Sequence, residues 1–90
     1  MKHFATPKFW AHYRKLPKRI RDLADKNFEL LKADPKHPSL HLKQIGNIWS
    51  VRVGKHYRAL GSNGPEGIIW FWIGSHADYD RFGELIDKLE

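Results

Sequence analysis

LKQIGNIWSVRVGKHYRALG, residues Leu42 to Gly61, carries the reading that decides the fold. Trp49, Val51 and Val53 alternate with Ser50 and Arg52, as in a strand with one buried face. Gly54-Lys55-His56 reads as a tight connection, after which Tyr57, Ala59 and Gly61 alternate with Arg58 and Leu60. Upstream, Gly46-Asn47 is a turn signal, and Leu40, Leu42 and Gln44 alternate with His41, Lys43 and Ile45. The pattern predicts a meander of strands at about 40–45, 48–53 and 57–62. With the connection centred on Lys55, Arg52 and Arg58 fall directly opposite each other, roughly 5 Å apart at Cβ. Trp49, Val51, Val53, Tyr57 and Ala59 then face the core. Like charges so placed repel unless an anion sits between them, and guanidinium forks suit a phosphate.

Downstream, residues 62–67 (SNGPEG) form a loop, and Ile68–Ile73 (IIWFWI) is apolar at every position. Such a run predicts a central strand covered on both sides, ended by Gly74. Phe82, Leu85, Ile86 and Leu89 have the spacing of a C-terminal amphipathic helix. Upstream, Lys2–Thr6 is a short first strand. Pro7 opens a helix carrying Phe9, Trp10 and Tyr13, and Pro17 breaks it and opens another at its first helical position. Ile20, Leu23, Ala24, Phe28 and Leu31 make the apolar stripe of that second helix, which Asp34-Pro35 ends. The expected architecture is α+β, with a helical hairpin packed on an antiparallel-rich sheet of about four strands and a C-terminal helix. Residues 1–90 are expected to form one domain.

The charge is unevenly spread. Residues 1–60 carry 14 Lys/Arg against 4 Asp/Glu, whereas residues 61–90 carry 2 against 6. That asymmetry points to a polyanion or an acidic protein as partner. The absence of cysteine rules out disulfides and thiolate metal sites, and fits a reducing cytoplasm. The first ten residues lack the apolar core of a secretory signal, and no apolar run is long enough to span a membrane. His3, His12, His37 and His41 show no metal-ligand spacing. No Gly-rich phosphate loop stands out, and no cofactor is expected.

Several short motifs follow the helical hairpin in a fixed order. They are Leu42-Lys43-Gln44-Ile45-Gly46, Trp49-Ser50-Val51-Arg52-Val53-Gly54, Tyr57-Arg58, and Gly74-Ser75-His76-Ala77-Asp78-Tyr79-Asp80. In that order they resemble the RelE/ParE superfamily, the toxin halves of bacterial type II toxin–antitoxin pairs, over essentially the whole chain. The resemblance implies a cognate antitoxin as partner, a cytoplasmic location and a toxin–antitoxin hetero-oligomer. RelE-like members cut mRNA in the ribosomal A site, whereas ParE-like members inhibit DNA gyrase. The fold alone does not separate the two activities.

Metal-free RNA cleavage needs a base for the 2′-hydroxyl, cations for the phosphorane and an acid for the leaving 5′-oxygen. Arg58, at the family's Tyr-Arg position, and Arg52 are the candidate phosphate contacts. His76 is the candidate proton carrier, since imidazole titrates near neutrality. Tyr79 is the candidate for stacking on a base or orienting the phosphate. Asp78 and Asp80 either orient His76 or serve the following helix start. Lys43, Lys55 and His56 are candidate RNA contacts. Arg58 and His76 are expected to face solvent. Two features depart from RelE-type enzymes: no Glu precedes Trp49 where some relatives carry a base, and the C-terminus is poor in Arg and Lys. The leading expectation is a metal-free, ribosome-dependent mRNA endoribonuclease, and the alternative is a gyrase inhibitor.

Overall fold

A computed structural model describes residues 2–78 and residue 81. Strand β1 (Lys2–Ala5) leads into helix α1 (Pro7–Arg14) and helix α2 (Lys18–Ala33). Strands β2 (Lys43–Ile45), β3 (Ile48–Val53), β4 (Tyr57–Asn63) and β5 (Gly67–Ser75) follow. They form one five-stranded sheet in the order β1-β5-β4-β3-β2. All neighbours are antiparallel except β1 and β5, which run parallel. The expected first strand forms as Lys2–Ala5 and pairs along the outer edge of β5, so the sheet has five strands where about four were expected. The expected C-terminal helix, with Phe82, Leu85, Ile86 and Leu89, lies outside the described residues.

Local chemistry accounts for the helices. Thr6 caps α1 by accepting a hydrogen bond from the Phe9 N–H at 3.1 Å, and Pro7 opens its first turn. Pro17 separates the helices, but as the cap of α2, with ψ at 147°, and not as its first helical residue. Its carbonyl accepts from the N–H groups of Ile20 and Arg21. The predicted first strand of the meander is shorter than expected. Pro38–Leu40 is a turn of 3-10 helix, and His41 adopts a left-handed φ of 45°, so the strand starts only at Lys43. Proline at the start of that turn fixes a helical φ and has no N–H to give a strand partner.

Leu16, Ile20, Leu31, Leu40, Val51, Val53, Ala59, Ile68, Trp70 and Ile73 form the core between the helices and one face of the sheet. Trp49 and Tyr57 pack against this cluster from its margin. The apolar run IIWFWI is an interior strand, between β1 and β4. Strand β5 continues through Gly74 to Ser75. A bulge lies opposite Leu60 and Gly61: Gly61 pairs with Trp70 and Leu60 with Trp72, leaving Phe71 unopposed. Gly61 permits the close approach of Trp70. A Cβ there would come within 2.6 Å of Ile68 Cγ2 and 2.9 Å of Trp70 Cε3.

A helix-side cavity of about 270 Å³ opens between α1, α2 and the sheet, lined by Phe9, Trp10, Tyr13, Phe28 and Trp70 among others. Tyr13 O–H donates to Asp25 Oδ1 at 2.7 Å across it. His3 reaches in from β1, its Nδ1 accepting from Trp70 Nε1 at 3.1 Å. Its ring meets Phe28 edge-on. Burial, and then nearby positive charge including Lys32, holds the His3 pKa below the ordinary histidine value.

Gly61→Ala forces overpacking against Ile68 and Trp70, and should cost about 1–3 kcal/mol in urea unfolding; an unchanged midpoint would contradict the packing described. His3, with a depressed folded-state pKa, is protonated first in the unfolded chain. Its contribution is complete above the ordinary histidine value and is lost as pH falls below about 6.5. His3→Gln should flatten the fall in stability between about pH 7.5 and 5.5. Parallel slopes for wild type and variant would refute this role.

Candidate functional site on the second face of the sheet

The sheet face opposite the Val51, Val53 and Ala59 core carries the candidate residues, and Ser50, Arg58, Leu60 and Trp72 on it are buried. Strand register places them there. Arg52 pairs directly with Arg58, Ser50 with Leu60, and Lys43 with Ser50. Val51, Val53 and Ala59 point the other way, into the core, as the alternation requires. Leu60 and Trp72, opposite each other on this second face, are buried as well.

Although directly opposed, the two arginines do not converge. Arg52 leans towards the hairpin tip, where its Nε–H donates to the Gly54 carbonyl at 2.8 Å. Its Nη1 lies 3.2 Å from His41 Nε2. Arg58 leans the other way, and its Nη1 donates to Ser50 Oγ at 3.0 Å. Opposite leanings separate the like charges, so no anion is required between them. The environments also differ. Arg52 is partly exposed, whereas Arg58 is only 9% exposed. The expectation that Arg58 faces solvent is therefore corrected. It lies in the sheet face beside buried Leu60 and Ser50, with Lys43 standing across from Ser50.

Helix α2 secures the hairpin from the core side. Asn27 Nδ2 donates to the Arg52 carbonyl at 3.2 Å. Gly54, with φ at 63°, lies so close to Leu23 that a Cβ would come within 2.7 Å of Leu23 Cδ2. Lys55 and His56, next in the turn, are exposed.

His76 stands at the same end of the sheet. It is exposed, and its N–H donates to the His56 carbonyl, extending the β4–β5 ladder past Ser75. Ser75 begins the helical segment that follows. Its Oγ accepts from the Asp78 N–H at 3.3 Å and donates to Asp78 Oδ2 at 3.1 Å, a reciprocal cap. Asp78 thus serves the helix start. Tyr57, Trp72, Gly74, Ser75, Asp78 and Arg81 help line a groove of about 540 Å³ beside this cap. Tyr79 and Asp80 lie outside the described residues.

The ladder thus brings Lys43, Ser50, Arg52 and Arg58 together on one face, with Lys55, His56 and His76 at the tip end. Sequence reasoning missed Ser50 and His41. Ser50 was legible, since it alternates in phase with Arg52. His41 was not, because its position depends on the left-handed turn after Leu40. Among the described residues no group of three or more His, Asp or Glu side chains converges, and no helix is long and apolar enough to cross a membrane.

This architecture has known counterparts. A chain of the RelB–RelE antitoxin–toxin complex from Methanococcus jannaschii superposes with a TM-score of 0.67 at 21% identity, over 88% of this chain and 98% of that one. The YoeB/ParE toxin from Agrobacterium tumefaciens gives 0.63 at 16% identity, over 84% and 99%. The isolated RelE toxin of E. coli gives 0.62 at 13% identity, over 98% and 97%. These likenesses establish a shared fold. No curated protein sequence matches. The sequence profile of the ParE-like toxin domain, however, matches residues 18–81, from the start of α2 through the reciprocal cap. The chain therefore belongs to the ParE-like toxin domain family of the RelE/ParE superfamily.

Proposed function

We propose that this toxin is a metal-free endoribonuclease that cleaves mRNA on the ribosome and so inhibits translation. The observation that carries this reading is the cluster of cations on one sheet face, where Lys43, Arg52 and Arg58 lie on adjoining strands with His76 at one end. Cleavage would proceed by attack of a ribose 2′-oxygen on the adjacent phosphorus. A base takes the hydroxyl proton, the P–O5′ bond breaks, and an acid returns a proton to the departing 5′-oxygen. His76 is the group for proton transfer. Arg52, partly exposed, touches the phosphate. Arg58 adds positive potential from within the sheet. Lys43, Lys55 and His56 track the RNA backbone, and Tyr79 stacks on a base.

The antitoxin is the expected protein partner, since relatives of this fold are solved as antitoxin–toxin complexes. We infer an acidic or amphipathic antitoxin segment that covers the basic sheet face or docks along the helices. Exposed Trp10 and Phe28 offer apolar contacts on the helix side.

A second reading is inhibition of DNA gyrase without RNA cleavage. Two observations favour it: Arg58 is nearly buried, and β2, β3 and β4 carry no Asp or Glu to act as base.

Primer extension on programmed ribosomes decides between the readings. Discrete cuts within codons support the first, and intact mRNA with gyrase-dependent DNA breaks supports the second. In single-turnover cleavage, Arg52→Ala should lose about 100-fold or more, and Arg52→Lys should recover only part, since a point charge cannot replace a fork. His76→Ala should slow cleavage and change the pH–rate profile near neutrality. Arg58→Ala should also lower the unfolding midpoint, so circular dichroism must accompany its kinetics. Wild-type rates in folded Arg52→Ala and His76→Ala proteins would reject this active site. Adding the purified antitoxin should restore translation; a tight complex that leaves toxicity intact would reject control by occlusion.

A further inference from the structure

Arg52 is held at two points by groups that the proposed chemistry does not otherwise use. The Gly54 carbonyl accepts from Nε–H, and the His41 ring meets Nη1 at 3.2 Å. A guanidinium donates and never accepts. Nε2 of His41 is therefore the acceptor, and the ring is the neutral tautomer with its proton on Nδ1. These contacts come from two separate segments, the β3–β4 turn and the residue that closes the 3-10 turn before β2. Between them they fix both the position and the plane of the fork. The Nη2 hydrogens remain uncommitted among the described residues.

His41 is itself firmly placed. Its φ of 45° is left-handed, its N–H donates to the Pro38 carbonyl at 3.3 Å, and the preceding Leu40 is fully buried. Left-handed backbone is uncommon outside glycine and is met most readily by Asn, Asp or His. Backbone preference alone would be satisfied by asparagine or glycine. The Arg52 contact needs an acceptor at the distance of Nε2, which neither supplies.

We propose that His41 is a positioning residue, which as a neutral imidazole holds the Arg52 guanidinium so that its free edge meets an RNA phosphate. The inference rests on the reading of Arg52 as a phosphate contact. A fork held in advance needs no reordering when the phosphate arrives, and loss of such alignment slows a reaction without removing any charge.

The test compares His41→Gln, His41→Asn and His41→Ala. Glutamine carries its amide oxygen about as far out as Nε2. Asparagine suits the left-handed backbone but stops near the distance of Nδ1. Two readouts are taken on the full chain: the NMR signals of the Arg52 Nη–H protons, assigned by their loss in Arg52→Lys, and single-turnover cleavage on programmed ribosomes. The Nη–H signals should be sharp in wild type and His41→Gln, and broadened or absent in His41→Asn and His41→Ala, whereas Nε–H, held by the Gly54 carbonyl, stays sharp throughout. Cleavage should fall about 10- to 100-fold in His41→Asn and His41→Ala, with His41→Gln retaining most of the rate. A purely backbone role gives the reverse order, with asparagine intact and glutamine impaired, and would overturn the proposal. If wild type leaves mRNA whole, the ribonuclease reading fails, while the NMR series still decides whether His41 holds Arg52. If mRNA is cut and His41→Asn matches wild type in both readouts, the positioning role is wrong and the ribonuclease reading stands.

Discussion

The pairing of Val53 with Tyr57 across Gly54-Lys55-His56 sets the register on which the rest of the structure depends. In a strand the side-chain period is two, so a slip of one residue turns every side chain to the opposite face. A shift here would carry Arg52 and Arg58 into the core and expose Val51, Val53 and Ala59. Several contacts prevent it. Leu23 packs against Gly54, Asn27 ties the Arg52 carbonyl to α2, and Arg52 itself caps the Gly54 carbonyl. The helices therefore hold the hairpin in register from the core side, which keeps Arg52 and Arg58 on the other face.

That face gathers positive charge on neighbouring strands, and its geometry shows how the repulsion is managed. Arg52 and Arg58 occupy one cross-strand pair, yet their guanidinium groups are drawn apart by Gly54 and His41 at one end and by Ser50 at the other. Each like-charge neighbour is thus anchored by local acceptors. The separation gives the arginines different tasks. The buried Arg58 contributes a standing potential, stronger for being shielded from water, and the partly exposed Arg52 can meet a ligand directly.

Much of this was legible in the residues. Alternation over Trp49–Val53 and Tyr57–Gly61 defines both strands and places Arg52 opposite Arg58. Pro7 and Pro17 marked both helix starts, and the apolar run at Ile68–Ile73 marked the interior strand. What was not legible depended on contacts distant in sequence. Alternation over residues 40–45 predicted a strand through Leu40, but Pro38 and the left-handed His41 impose a turn, and only tertiary packing of Leu40 into the core selects it. Burial of Arg58 could not be read either, because alternation tells which face a residue takes and not how that face is covered. Nor does the spacing of His41 and Arg52 suggest that the two side chains meet.

If the sheet face that carries Lys43, Arg52 and Arg58 meets RNA, site-specific photocrosslinking on programmed ribosomes will show it, with a benzophenone side chain placed at Lys43 on that face or at Lys8 on α1. Crosslinks to mRNA are expected from position 43 and not from position 8. Crosslinks from position 8 with none from position 43 would contradict RNA binding by that face.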